Sequence, residues 1–97
     1  MSRRILVVYR NEHIRVGIEE MLKETESAVW VAASRQEALA YALLESFDLA
    51  IVDRTLIEGP AGCLFKARLN ELGVPVLPAA PERAWMSQDR PILPMAL

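Results

Sequence analysis

Asp53 and Arg10 frame the chemistry open to this chain. Asp53 closes the apolar run Leu49-Ala50-Ile51-Val52, and Arg10 follows the run Ile5-Leu6-Val7-Val8-Tyr9. A carboxylate at the C-terminal end of a central strand is where an open α/β sheet places its reactive groups. Such a carboxylate can take up a phosphoryl group, but two anions must meet, so the transfer depends on cations that offset the charge. A bound Mg²⁺ is the usual one, and it needs further carboxylates close to the acceptor. The neighbouring strand end would have to supply them, and it offers a phenol and a guanidinium, Tyr9 and Arg10. A fixed positive charge there disfavours a divalent cation. Glu12 is the nearest acidic alternative, but it lies past the place the strand end defines.

The elements that must position these groups alternate along the chain. Arg4 to Val8 reads as a buried strand, short and rich in Val and Ile. Asn11 is placed to cap a helix whose buried face carries Ile14, Ile18, Met21 and Leu22, with Gly17 allowing close approach to the sheet. A second strand spans 28–33. Ser34 and Glu37 then form a capping box for a helix to about Glu45, striped with Ala38, Leu39, Ala42 and Leu43. Leu49 to Asp53 is the third strand. The stretch 56–62, with two glycines and a proline, reads as a loop before a helix from Ala61 to Leu72 that ends at Gly73. Val74 to Leu77 is a fourth strand, 82–88 leaves room for a turn or two of helix, and Pro91 to Pro94 is a short fifth strand. Strict alternation of strand and helix argues an α/β fold with a parallel, doubly wound sheet.

Composition narrows the function classes. The chain has 97 residues, 53% apolar and 25% charged, which suits one globular domain over 1–97. The formal net charge is −2 and no Lys/Arg cluster stands out, so there is no nucleic-acid footprint. The apolar run after Met1-Ser2-Arg3-Arg4 is too short for a signal peptide or a membrane span. A single cysteine, Cys63, cannot form an internal disulfide and fits a reduced cytoplasm. On its helix beside Leu64 and Phe65 it reads as a small packing residue. His13 reads as a solvated helix residue and Tyr9 as a partly buried packing residue. Trp30 reads as core, and Trp85 is the better candidate for a contact residue.

The segments Arg4-Ile5-Leu6-Val7-Val8, Asn11-Glu12-His13-Ile14-Arg15 and Phe47-Asp48-Leu49-Ala50-Ile51-Val52-Asp53 together resemble the receiver domain of bacterial two-component response regulators. Gly73-Val74-Pro75-Val76 and Ile92-Leu93-Pro94 continue the match in order. The stretch from Pro81 to Leu93 is similar to a single-domain subset with a Phe-Ala-Thr-Gly-x-Tyr signature, of which only Ala79 is present. The resemblance implies a flavodoxin-like five-stranded sheet in the order 2-1-3-4-5, with a short fourth helix. It places the phosphoacceptor on Asp53 and the two acidic metal ligands on Tyr9 and Arg10. The hydroxyl residue that closes over the phosphoryl group falls on Ala80, and the lysine that pairs with it falls on Met95, followed by Ala96 in place of a proline. Asp53 alone keeps its chemical type.

These exchanges imply a degenerate receiver, or pseudo-receiver: no enzyme, no cofactor, and a cytoplasmic protein-interaction module that works without phosphorylation. Its expected partners are a sensor kinase, another response regulator or a second copy of itself. The alternative is a phosphoacceptor, phosphorylated on Asp53 by a sensor histidine kinase, with Mg²⁺ held in an unconventional arrangement around Glu12. Arg10 is expected to form an ion pair with Asp53 in place of the metal site. The chain shows no fifth helix, and its ending Ile92-Leu93-Pro94-Met95-Ala96-Leu97 is almost wholly apolar. An apolar face left without that helix is expected to serve as a homodimer or docking surface.

Overall fold

The computed structural model describes residues 3–79. The expectations placed on Ala80, Trp85, Met95 and Ala96, on the fourth helix and fifth strand, and on the apolar ending all lie outside the described residues. Within them the order is β1 (Arg4–Val8), α1 (Glu12–Lys23), β2 (Ala28–Ala32), α2 (Arg35–Leu44), β3 (Leu49–Asp53), a 3₁₀ turn (Arg54–Ile57), α3 (Gly59–Glu71) and β4 (Val76–Ala79). The strands form one parallel sheet in the order β2-β1-β3-β4. This is the flavodoxin-like α/β arrangement.

Side chains on a strand alternate between faces, so β1 feeds two cores. Leu6 and Val8 join Ala50, Val52 and Ala32 beneath Ala38 and Ala42 of α2 and Phe65 and Leu69 of α3. Ile5, Val7 and Tyr9 join Ile51 and Ala79 beneath Ile14, Ile18 and Leu22 of α1. Burial on both faces explains why the central strands read as unbroken apolar runs. Trp30 is a partly buried neighbour of the first core, packed edge-on against Phe47 with ring centroids 5.4 Å apart.

The helices start and stop for local reasons. The Asn11 side chain accepts from the amides of His13 and Ile14, capping α1. Ser34 accepts from the Glu37 amide, and the Glu37 carboxylate reaches back one residue further than in a standard box, to the Ala33 amide. Gly73, at φ 81°, ends α3 in a Schellman turn: its N–H donates to Asn70 and that of Val74 to Leu69. After α1 the chain turns through Glu26 at φ 59°, a left-handed position taken without glycine.

Several sequence expectations shift. Met21 and Leu43 are exposed, at 38% and 65%, so the buried stripes of α1 and α2 are narrower than predicted. Cys63 and Leu64 are exposed, and Phe65 alone of that trio is buried, because α3 rotates a single face toward the sheet. The loop expected over 56–62 is a 3₁₀ turn running into α3, with Pro60 in the first helical turn where its missing N–H costs nothing. Strand β4 starts at Val76, because the Val74 amide is taken by α3 and Pro75 has no N–H to give the ladder. Gly62 is buried against the main chain of Ile57. A Cβ there would overlap the Ile57 carbonyl carbon and lie 2.7 Å from its Cα and 2.9 Å from its oxygen.

Candidate functional site

Parallel strands bring their C-terminal ends to one edge, where β1, β3 and β4 end side by side. Val8 pairs with Val52 and Asp53 pairs with Ala79. Tyr9 and Asp53, each one residue beyond the Val8–Val52 pair, therefore face each other across neighbouring strands on the α1 side.

Asp53 is 4% exposed and is the buried charged residue among those described. Its Oδ1 accepts from the Thr55 amide at 3.0 Å and from the Thr55 hydroxyl at 2.9 Å. The carboxylate thereby caps the 3₁₀ turn, an aspartate turn of the kind this side chain makes readily. Oδ2 carries no hydrogen bond. No buried side-chain oxygen lacks a partner among the described residues, so Oδ2 reaches solvent.

The expected ion pair between Arg10 and Asp53 is not formed. The ion pairs among the described residues are Arg4–Glu45 and Arg68–Glu71, both away from this edge. Arg10 is exposed, and its guanidinium keeps its hydration while Thr55 supplies Asp53 with donors at no desolvation cost. The cation that does engage the strand end is Arg15. One of its terminal nitrogens donates at 2.8 Å to the Tyr9 carbonyl and at 2.8 Å to the Arg10 carbonyl, fastening the β1–α1 connection to the first turn of α1. Arg35 does the same on the other side, its Nε donating at 2.8 Å to the Leu56 carbonyl.

Tyr9 is fully buried, deeper than the partial burial expected of it, and belongs to the α1 core with Ile14 and Ile18. Glu12 is exposed in the first turn of α1, and His13 is exposed beside it. Among the described residues, the side chains at the strand end do not make up a divalent-metal ligand set: a buried phenol and a solvated guanidinium flank one carboxylate. Among the described residues no three His, Cys, Asp or Glu side chains gather as a metal-holding group. Thr55 and Arg15 are the residues that sequence reasoning missed. An Asp-x-Thr spacing after a strand was the available signal for the first, and nothing local marks the second.

No family model matches the chain, and no curated protein matches it in sequence. Solved structures do match. SdrG from Pseudomonas melonis Fr1, in its BeF3-activated conformation, aligns at TM-score 0.68 and 22% identity over 100% of this chain and 90% of its own. The chemotaxis protein CheY4 of Vibrio cholerae aligns at 0.66 and 28% identity, over 87% of this chain and 76% of its own. The non-phosphorylated HemR receiver domain from Leptospira biflexa aligns at 0.57 and 20% identity, over 94% and 99%. The chain has the receiver fold. A fusion carrying a yeast Spc42 coiled coil aligns at 0.69 and 22% identity over 90% of this chain, which spans 60% of that fusion. No helix among the described residues is long and apolar enough to cross a membrane.

Proposed function

We propose that this chain is a response-regulator-like interaction module of bacterial two-component signalling that works without phosphorylation. The observation that carries the reading is the strand end beside Asp53, where Tyr9 is locked in the α1 core and Arg10 stands in solvent. Neither can hold Mg²⁺, and without a cation the approach of a phosphoryl donor to Asp53 is opposed by charge. Asp53 meanwhile has a structural task, capping the turn that follows β3. The module then acts as a rigid, non-enzymatic surface, recognised by a sensor kinase or another response regulator. Ala80 and Met95 add to this reading from the sequence, since neither can follow or pair with a phosphoryl group.

A second reading has one observation in its favour. Asp53 Oδ2 has no protein partner and reaches solvent, which is what an acceptor oxygen requires. Under that reading Asp53 is phosphorylated by a sensor histidine kinase, with Glu12 as the metal ligand. An amide NMR titration with Mg²⁺, then Mg²⁺ plus beryllofluoride, separates the two. A spectrum that does not respond supports the phosphorylation-independent module. Saturable shifts at Asp53 that spread into β4 would overturn it in favour of the phosphoacceptor.

A further inference from the structure

Strand β2 lies at one end of the sheet, and its sequence is a palindrome: Ala28-Val29-Trp30-Val31-Ala32, symmetric about Trp30. The Ala28 amide donates to the Arg3 carbonyl and the Ala32 carbonyl accepts from the Tyr9 amide, so the even-numbered residues turn their main chain toward β1. The residues between them turn theirs outward. Among the described residues nothing meets the Val29 and Val31 amides or carbonyls. The next outward amide, that of Ala33, is already taken by the Glu37 carboxylate at 2.6 Å. The open edge is therefore short and bounded. Folded proteins usually blunt such an edge with a charge, a proline or a bulge. Residues 27–33 carry no charge and no proline, and β2 pairs with β1 without a bulge. Ala28 to Val31 are all partly exposed.

We propose that this edge pairs with the β2 edge of a second copy of this chain, antiparallel and centred on Trp30. The palindrome selects the occupant. A two-fold axis at Trp30 sets Val29 opposite the partner's Val31 and Ala28 opposite the partner's Ala32, so each residue meets its own type. The hydrogen bonding agrees with that register: Val29 and the partner's Val31 exchange both main-chain bonds, the hydrogen-bonded pair of an antiparallel ladder. Trp30 and the partner's Trp30 then form the pair without hydrogen bonds, Cα atoms about 4.5 Å apart, where aromatic side chains touch. The Trp30 ring is already positioned, edge-on to Phe47 and with the Arg4 guanidinium 5.9 Å from its centroid. A slip by one residue sets outward groups against inward ones. A slip by two sets Val29 against the partner's Ala33, whose amide Glu37 holds. With no charge in residues 27–33, the two identical edges do not repel. The sheet runs unbroken from one copy into the next, and the pairing does not depend on the chemistry at Asp53.

The test is sedimentation velocity and amide hydrogen exchange on the full chain over a concentration series. The expected result is a monomer–dimer equilibrium in which the Val29 and Val31 amides exchange more slowly as concentration rises. An amide–amide NOE between Val29 and Val31 should appear with the dimer, since within one strand they lie about 6.6 Å apart, beyond its reach. Val31→Pro removes an outward amide but no bond to β1, and should weaken the dimer at least about tenfold. Val29→Lys blunts the edge by charge and should weaken it as much, which keeps the test decisive if proline disturbs the fold. A chain still monomeric at about 1 mM would overturn the proposal. So would a dimer whose Val29 and Val31 amides exchange at the same rate at every concentration, the mark of pairing elsewhere, or one that both variants leave intact.

Discussion

Replacing Gly62 with alanine sets two known effects against each other inside α3. Alanine is the better helix former by about 1 kcal/mol, so propensity alone predicts a more stable protein. The added methyl would overlap the carbonyl carbon of Ile57 and sit 2.7 Å from its Cα. Those are main-chain atoms, which cannot turn aside as a side chain can. Relief requires moving the 3₁₀ turn away from α3, and that turn carries Leu56, 1% exposed against Phe65. Overpacking of this kind costs about 1–3 kcal/mol, and partial exposure of a leucine adds about 1.5 kcal/mol. The clash wins, with a net loss of about 2 kcal/mol. In urea unfolding followed by circular dichroism, a slope of about 2 kcal/mol/M lowers the midpoint by about 1 M. Gly59→Ala is the control, since it meets open space and suffers only from φ 73°. A Gly62→Ala protein as stable as the parent, or more so, would refute the close approach of α3 to Ile57.

Arg10→Ala should change stability by less than about 0.5 kcal/mol, because its guanidinium has no protein partner; a larger loss in thermal unfolding would restore the ion pair with Asp53. Thr55→Val removes the hydroxyl bond to Asp53 Oδ1 but keeps the amide bond, and should lower stability by about 1 kcal/mol, read from the denaturant midpoint. Glu26→Gly should raise the midpoint by up to about 1 kcal/mol equivalent, because φ 59° suits glycine better than glutamate.

What the sequence made legible was whatever repeats with a simple period. β1 and β3 were found to the residue, since a strand buried on both faces has no polar interruption to blur its ends. The caps at Asn11 and Ser34 and the stop at Gly73 were equally plain, because each is a single residue type doing a local job. Glu26 was not foreseen, since a left-handed turn without glycine leaves no compositional trace. The start of β4 was misplaced by two residues because Val74 reads as strand but spends its amide on α3. At the site, the positions of Asp53, Tyr9 and Arg10 were legible from strand ends alone. Their partners were not. Charge complementarity suggested Arg10 for Asp53, whereas backbone geometry hands the carboxylate to Thr55 and the loop carbonyls to Arg15. A pairing rule that ignores hydration favours the salt bridge, and hydration keeps Arg10 out.

The cap that Asp53 makes also bears on how its presence should be weighed. A turn that needs one side-chain oxygen over the Thr55 amide is served by aspartate, asparagine or serine alike. Keeping an acid at this position is therefore no testimony that the chain, or any ancestor of it, was ever phosphorylated there. The informative comparison is between acid and amide: a turn indifferent to the exchange marks a joint in the backbone, and a function that fails on it marks a reagent.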